Sequence, residues 1–227
     1  MQNKTKKIRD YISKGMRKLK HRKGYGVHSP FAYSIITEVI EEKLPYYAYH
    51  RMGRTYHKDA PISHKKACLL FRLANRFLCR RAVELGCDGG YSILPLLLVD
   101  SRLKANCLGT ANAQQQLQQN LAWLPAYQQR LTLKQHPEDL EADQPYDFII
   151  INDNPLINEE QLVEWVMSHS QDDTLIWVHG IQPRQPLERF WDLLCDRDDV
   201  SVTMDLYDCG LAILRPRFFK QHYIVAF

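Results

Sequence analysis

From Arg80 onward the chain alternates short, almost wholly apolar runs with longer stretches in which apolar residues return every three or four positions. The runs predict strands near 81–85, 106–110, 130–134, 146–151, 174–178, 200–206 and 210–214, with a last run near Tyr223 to Phe227. The periodic stretches predict helices near 91–100, 112–122, 158–168 and 185–196. Asp147-Phe148-Ile149-Ile150-Ile151 is apolar on both faces, as a central parallel strand should be. Strands alternating with helices imply a parallel sheet with helical crossovers. The strands around Asp208-Cys209-Gly210 read instead as an antiparallel hairpin at the sheet edge.

Upstream, Leu69, Leu70, Leu73, Ala74 and Phe77 form one side of a helix running from Ser63 to about Leu78. Ser29-Pro30 predicts an N-cap and first helical position, opening a helix to about Lys43. A further helix is expected over roughly 4–20, with Ile8, Tyr11, Ile12, Met16 and Leu19 on one side. Residues 44–62 are rich in Tyr, His, Arg and Pro without a period, and read as an irregular loop or lid. The chain thus divides into an N-terminal helical and loop segment, 1–62, and one compact α/β unit, 63–227.

Charge and composition narrow the picture. The 227 residues include 45% apolar ones, with no run long enough to span a bilayer and no secretory signal at the start. Six cysteines stand singly, without a C-x-x-C pair, which fits a reduced, cytoplasmic protein and indicates no zinc site or disulfide framework. Residues 1–23 hold ten Lys or Arg against one acid, Asp10, while the remainder has 20 basic against 25 acidic residues. A cationic arm of this kind suits nucleic acid, anionic lipid or the domain's own acidic face; it equally suits a solvated amphipathic helix.

The densest chemical signal is Arg81-Ala82-Val83-Glu84-Leu85-Gly86-Cys87-Asp88-Gly89-Gly90-Tyr91-Ser92. A buried strand ends in an acid, glycines follow, and a helix begins, so that a ligand can approach bare backbone and helix N–H groups. A nicotinamide turn wants Gly-x-Gly-x-x-Gly, but Asp88 stands where the second glycine belongs and would repel a pyrophosphate. A ligand bearing cationic groups meets no such conflict. An ordinary strand-to-helix turn without a ligand is the plainer alternative.

This layout resembles motif I of class I S-adenosylmethionine (SAM) dependent methyltransferases, Glu-x-Gly-x-x-x-Gly, matched by Glu84, Gly86 and Gly90. Further segments resemble a bacterial group close to the small-molecule O-methyltransferases: Gly26-Val27-His28-Ser29-Pro30-Phe31, Leu69 to Leu73, Tyr146 to Ile151, Phe190-Trp191, Asp205-Leu206-Tyr207, Gly210-Leu211 and Lys220 to Tyr223. The resemblance implies a Rossmann-like fold with a mostly parallel seven-stranded sheet, an antiparallel C-terminal hairpin and extra N-terminal helices. It implies SAM as cofactor and a small hydroxylated molecule as methyl acceptor. Cofactor contacts would fall on Glu84, Gly86, Cys87, Asp88, Gly90, Tyr91, Ser92, Thr110, His136 and Asn152.

Several positions depart from that pattern. The second strand ends in Gly109-Thr110-Ala111-Asn112, without the acid that holds the ribose, and the third offers Gln135 and His136 where an acid reads adenine. Asn152 replaces the usual aspartate after the fourth strand, and His179-Gly180 replaces Asp-Asp after the fifth. Such a set gives a divalent cation too few hard oxygen ligands, so no metal is expected. His179 has a reference pKa suited to a general base, with Asp153 to orient it; a structural histidine is the plainer reading. Trp177 and Trp191 read as core aromatics. A catalytically degenerate fold kept as a binding module is the rival function, and a nucleic-acid methyltransferase using residues 1–23 the third.

Overall fold

Five strands running in one direction build most of the sheet: β1 (Arg81–Leu85), β2 (Lys104–Leu108), β3 (Leu131–Lys134), β4 (Tyr146–Ile151) and β5 (Ser170–His179). They are followed by β6 (Val202–Asp205), β7 (Cys209–Ile213) and β8 (Gln221–Ile224). The computed structural model describes residues 26–140, 144–156 and 158–227; the basic helix expected over 4–20 lies outside them. The strand order is β3-β2-β1-β4-β5-β7-β6-β8, with β7 antiparallel to both neighbours and β8 parallel to β6.

Three expectations change. The sheet has eight strands rather than seven, and the β6–β7 hairpin does not form its edge because β8 lies outside it. The four residues of β8 alternate half-buried and exposed and overlap, at Tyr223 and Ile224, the last run from which a strand is expected. Residues 44–62 also hold a short helix, α2 (Tyr47–Met52), which buries Ala48 and Met52.

The first helix, α1 (Pro30–Ser34), starts where Ser29 Oγ accepts from Ala32 N at 3.3 Å and continues as a π-helical turn over Ile35–Ile40. The wider turn leaves carbonyls free, and buried Arg72 of α3 (His64–Arg76) meets those of Val39 and Ile40 and the Tyr49 hydroxyl. Ser63 caps α3 as its position predicts.

Helices α3, α4 (Ile93–Leu97) and α5 (Ala111–Leu121) cover one face of the sheet, against Ala82, Ala105, Cys107, Phe148, Ile150 and Trp177. Helices α6 (Glu159–Ser168) and α7 (Glu188–Asp196) cover the other, against Val83, Leu85, Ile149, Ile151, Ile176 and Val178. The central strands are therefore buried on both sides, as their apolar runs require. Among the described residues between β3 and β4, the helical element is a single 3₁₀ turn at Pro137–Asp139. On the α6–α7 face, β2 and β3 accordingly present polar side chains: Lys104, Asn106, Thr132 and Lys134. Among the described residues, no helix is long and apolar enough to cross a membrane.

Candidate functional site

At the carboxyl edge of the sheet, β1 ends in Glu84 and Leu85 and the chain reverses at Gly86, whose φ is +83°. A Cβ there would stand 2.6 Å from Asp153 Cβ and 2.7 Å from Asp153 N, so glycine lets this turn press against the loop after β4. Gly90, at φ +90°, is packed on Leu117 and Leu121 of α5 and serves the seating of the turn on the helical layer. Cys87 N donates to Leu108 O at 2.6 Å, drawing the turn onto the end of β2, where Gly109 packs against Cys87.

Glu84 is fully buried and surrounded by donors: Asn152 Nδ2 at 2.8 Å, Cys107 Sγ at 3.2 Å and Asp88 N at 3.4 Å. Burial first, and the charge of Asp88 next, hold its carboxyl well above the usual carboxylate range. Asp88 is itself pushed up by burial, although Ser92 opposes this with donations from Oγ at 2.7 Å and N at 3.1 Å. Burial and the neighbouring carboxylate thus both favour the protonated form of Glu84. The pKa of the Cys87 thiol is lowered, chiefly by its interaction with the Cys107 side chain.

Asn152 follows β4 in sequence and ties this pair to the turn, its Nδ2 donating to Glu84 and to Gly86 O at 3.0 Å. Its Oδ1 is buried and has no partner. An acceptor in that state is costly, about 1–3 kcal/mol, and usually marks a place where a donor arrives. Asn152, Asp153, Gly86, Cys87, Asp88 and His179 line an open cavity of about 420 Å³, together with Pro61 and Ile62. That volume lies in the range of small-molecule sites, about 300–1,000 Å³.

His179 ends β5 and lines this cavity, as does Asp153, but no hydrogen bond joins them. Asp153 is exposed, its Oδ1 accepting from Asn154 N at 2.9 Å. His179 Nε2 accepts from Trp177 Nε1 at 2.8 Å, with Ser92 Oγ at 3.5 Å. Burial first, and the charge of Lys66 next, lower its pKa to about 3. The ring is therefore neutral at ordinary pH with its proton on Nδ1, and its one lone pair already has a partner.

Pro61 and Ile62 belong to the loop that follows α2. Tyr56 donates from its hydroxyl to Tyr91 O, and His57 Nε2 shares a hydrogen bond of 2.8 Å with Tyr91 Oη. Thr55 Oγ1 donates to Asn120 O at 3.3 Å and accepts from Trp123 Nε1 at 2.9 Å. Tyr91 is in consequence a buried anchor for this lid. Thr110 and His136 stand apart from the cavity. Thr110 is exposed and caps α5 through Ala113 N at 3.4 Å, while His136 is exposed and donates from its backbone N to Asp139 at 3.2 Å. Instead, Gln114 Nε2 bridges the ends of the outer strands, donating to Lys134 O at 2.6 Å and Gly109 O at 3.1 Å. Sequence reasoning missed Gln114, Tyr56 and His57; the Tyr and His of residues 55–57 were a signal, since a lid needs polar anchors as well as length. Among the described residues, no group of three His, Cys, Asp or Glu could hold a metal ion.

No sequence-family model matches the chain, and no curated protein matches it. Solved structures do. An O-methyltransferase from Bacillus cereus in complex with SAH shares 18% identity at a TM-score of 0.59, over 80% of this chain and 97% of that one. A methyltransferase from Geobacter sulfurreducens gives 16% and 0.60, over 81% and 97%. An O-methyltransferase from Streptomyces achromogenes, in complex with SAM, gives 19% and 0.56, over 76% and 91%. At these identities the likeness establishes the fold: this chain has the Rossmann-like architecture of those methyltransferases.

Proposed function

We propose that the chain binds SAM in the cavity above the glycine turn and catalyses methyl transfer to a small hydroxylated acceptor. The observation that carries this reading is the buried, unpartnered Oδ1 of Asn152 beside a cavity of about 420 Å³. An ammonium group is the donor such an atom needs, and the Glu84–Asp88 pair adds negative potential for a cation. The cofactor, when bound, supplies a methyl group already activated by its sulfonium. What the protein adds is proximity, alignment and a site shielded from water. Gly86 to Asp88 and Asn152 would hold the methionine end, and the lid at Pro61 and Ile62 would cover it. Asp153, the exposed carboxylate at the mouth, would take the acceptor's proton, with neutral His179 as a positioning residue held by Trp177.

The adenosine end has weaker support: the hydroxyl of Thr110 caps a helix, and Gln114 occupies the strand-end carbonyls of Gly109 and Lys134. That feature favours the second reading, a fold retained for binding without turnover. Isothermal titration of the full chain with SAM and SAH tests the first. Saturable binding of both is expected, and absence of heat at about 1 mM ligand, a free energy near −4 kcal/mol, refutes it. Binding without transfer to any hydroxylated acceptor favours the second.

A further inference from the structure

We propose that the open face of β2 and β3, beyond the edge of the α6–α7 layer, is a binding site for a small oligophosphate. The groove there has a volume of about 470 Å³ and shares no lining residue with the cavity above the glycine turn. It is independent of the methyltransferase reading.

Six cations line it: Arg80, Arg81, Arg102, Lys104, Arg130 and Lys134. Beyond residue 23 the chain has 20 basic and 25 acidic residues, so nearly a third of the basic ones converge on one groove of an otherwise acidic body. Among the described lining residues the one acid is Asp139, which accepts from His136 N at 3.2 Å. Asp100 is shared between Arg80 and Arg102, at 2.8 Å each, and leaves one charge of that trio unbalanced. Arg130 rests on the carbonyls of Leu97 and Asp100, both at 3.0 Å, which orient it without neutralising it. Lys104 and Lys134 form no ion pair among the described residues. Arg81 is fixed through Gln144, yet its Nε is buried with no partner.

The spacing selects the anion. Lys104 opens β2 and Lys134 pairs with Leu108 at its other end, four residues along. At ~3.3 Å per residue the charges span roughly 13 Å, more than one phosphate covers and enough for several linked ones. Asn106 and Thr132 lie between them as neutral hydrogen-bonding groups. A nucleic acid is disfavoured because the aromatic residue of the groove, Tyr146, is 1% exposed and gives bases no surface to stack on. The chain's own N-terminal segment carries ten basic residues against one acid, the wrong sign to fill the groove.

Titration calorimetry of the full chain at low salt, with sodium tripolyphosphate as probe and inorganic phosphate as comparator, tests the assignment. One tripolyphosphate per chain is expected, far tighter than phosphate and weakening as salt is added. Lys104→Glu with Lys134→Glu should weaken it roughly a hundredfold, tenfold for each lost charge-assisted contact. Lys104→Gln with Lys134→Gln should act in the same direction with less risk to folding. The proposal is overturned by absence of tripolyphosphate binding, by unchanged affinity in a folded variant, or by a single-stranded oligonucleotide binding more tightly through the same lysines.

Discussion

Replacing Gly86 by alanine probes the join on which the cavity depends. Two penalties add. A φ of +83° places an L-residue in a region that costs about 1–3 kcal/mol. The new Cβ would also stand 2.6 Å from Asp153 Cβ, 2.7 Å from Asp153 N and 3.2 Å from Asn152 C. Two of those atoms are backbone and cannot swing aside as a side-chain tip can, and overpacking of this kind costs about 1–3 kcal/mol more. The expected total is about 2–6 kcal/mol. Gly180 supplies the control: its φ is +66°, but a Cβ there meets nothing closer than Gln185 Cβ at 3.6 Å, so Gly180→Ala carries the backbone penalty alone. Urea unfolding of both variants reads the difference. With an m-value near 3 kcal/mol/M, Gly86→Ala should lower the midpoint by about 0.7–2 M and Gly180→Ala by about 0.3–1 M. Equal shifts would mean that the turn is not pressed against the Asp153 loop, and the cavity geometry would fail with it.

Three further outcomes follow from the same geometry. His179 titrates near 3 when folded and near 6.5 when free, so the unfolded chain binds the extra proton between those values. Stability from this group is complete above about pH 6.5 and is lost towards pH 3, with a slope of up to ~1.4 kcal/mol per unit; His179→Asn should flatten the fall in urea midpoint between pH 7 and 5, and identical profiles would sink the assignment. Asn152→Ala removes the ties to Glu84 and Gly86 but also the unpartnered Oδ1, so the net change in stability should be small, about 1 kcal/mol or less. It should also weaken SAM at least tenfold by calorimetry, and undiminished affinity would remove Asn152 from the site. Arg72→Met strands the carbonyls of Val39 and Ile40 and should cost about 2–4 kcal/mol, seen as a melting temperature lower by several degrees; a loss below about 0.5 kcal/mol would show that water takes over those carbonyls.

Features encoded over a few neighbouring residues were legible in the sequence. β1 and β4 fall where their apolar runs place them, and Ser29-Pro30 and Ser63 open helices, because caps and buried strands are local signals. The turn from Glu84 to Ser92 was equally legible, since an acid, three glycines and a helix start leave little freedom. Long-range partners were not. Nothing near Arg72 says that it will serve a π-helical turn more than thirty residues away, and nothing near Gln114 announces the two strand-end carbonyls it joins. Trp177 and His179 lie two apart on one strand and so share a face, which was enough to suspect their hydrogen bond; the reference pKa drew attention to His179 as a base instead. Thr110 and His136 entered by family likeness, and their exposed positions reflect how far this chain departs from that pattern at its outer strands.

The latch formed by Tyr56 and His57 on Tyr91 sets the pace of traffic beneath it. Two hydrogen bonds of ordinary net strength, about 1 kcal/mol each, would keep the door ajar in roughly one molecule in thirty. A visitor that enters through the open form and is then covered arrives and leaves at rates scaled down by that fraction. Loosening the latch at Tyr56 should therefore quicken both arrival and departure while leaving apparent affinity nearly unchanged, a combination that damage to the chamber itself cannot produce.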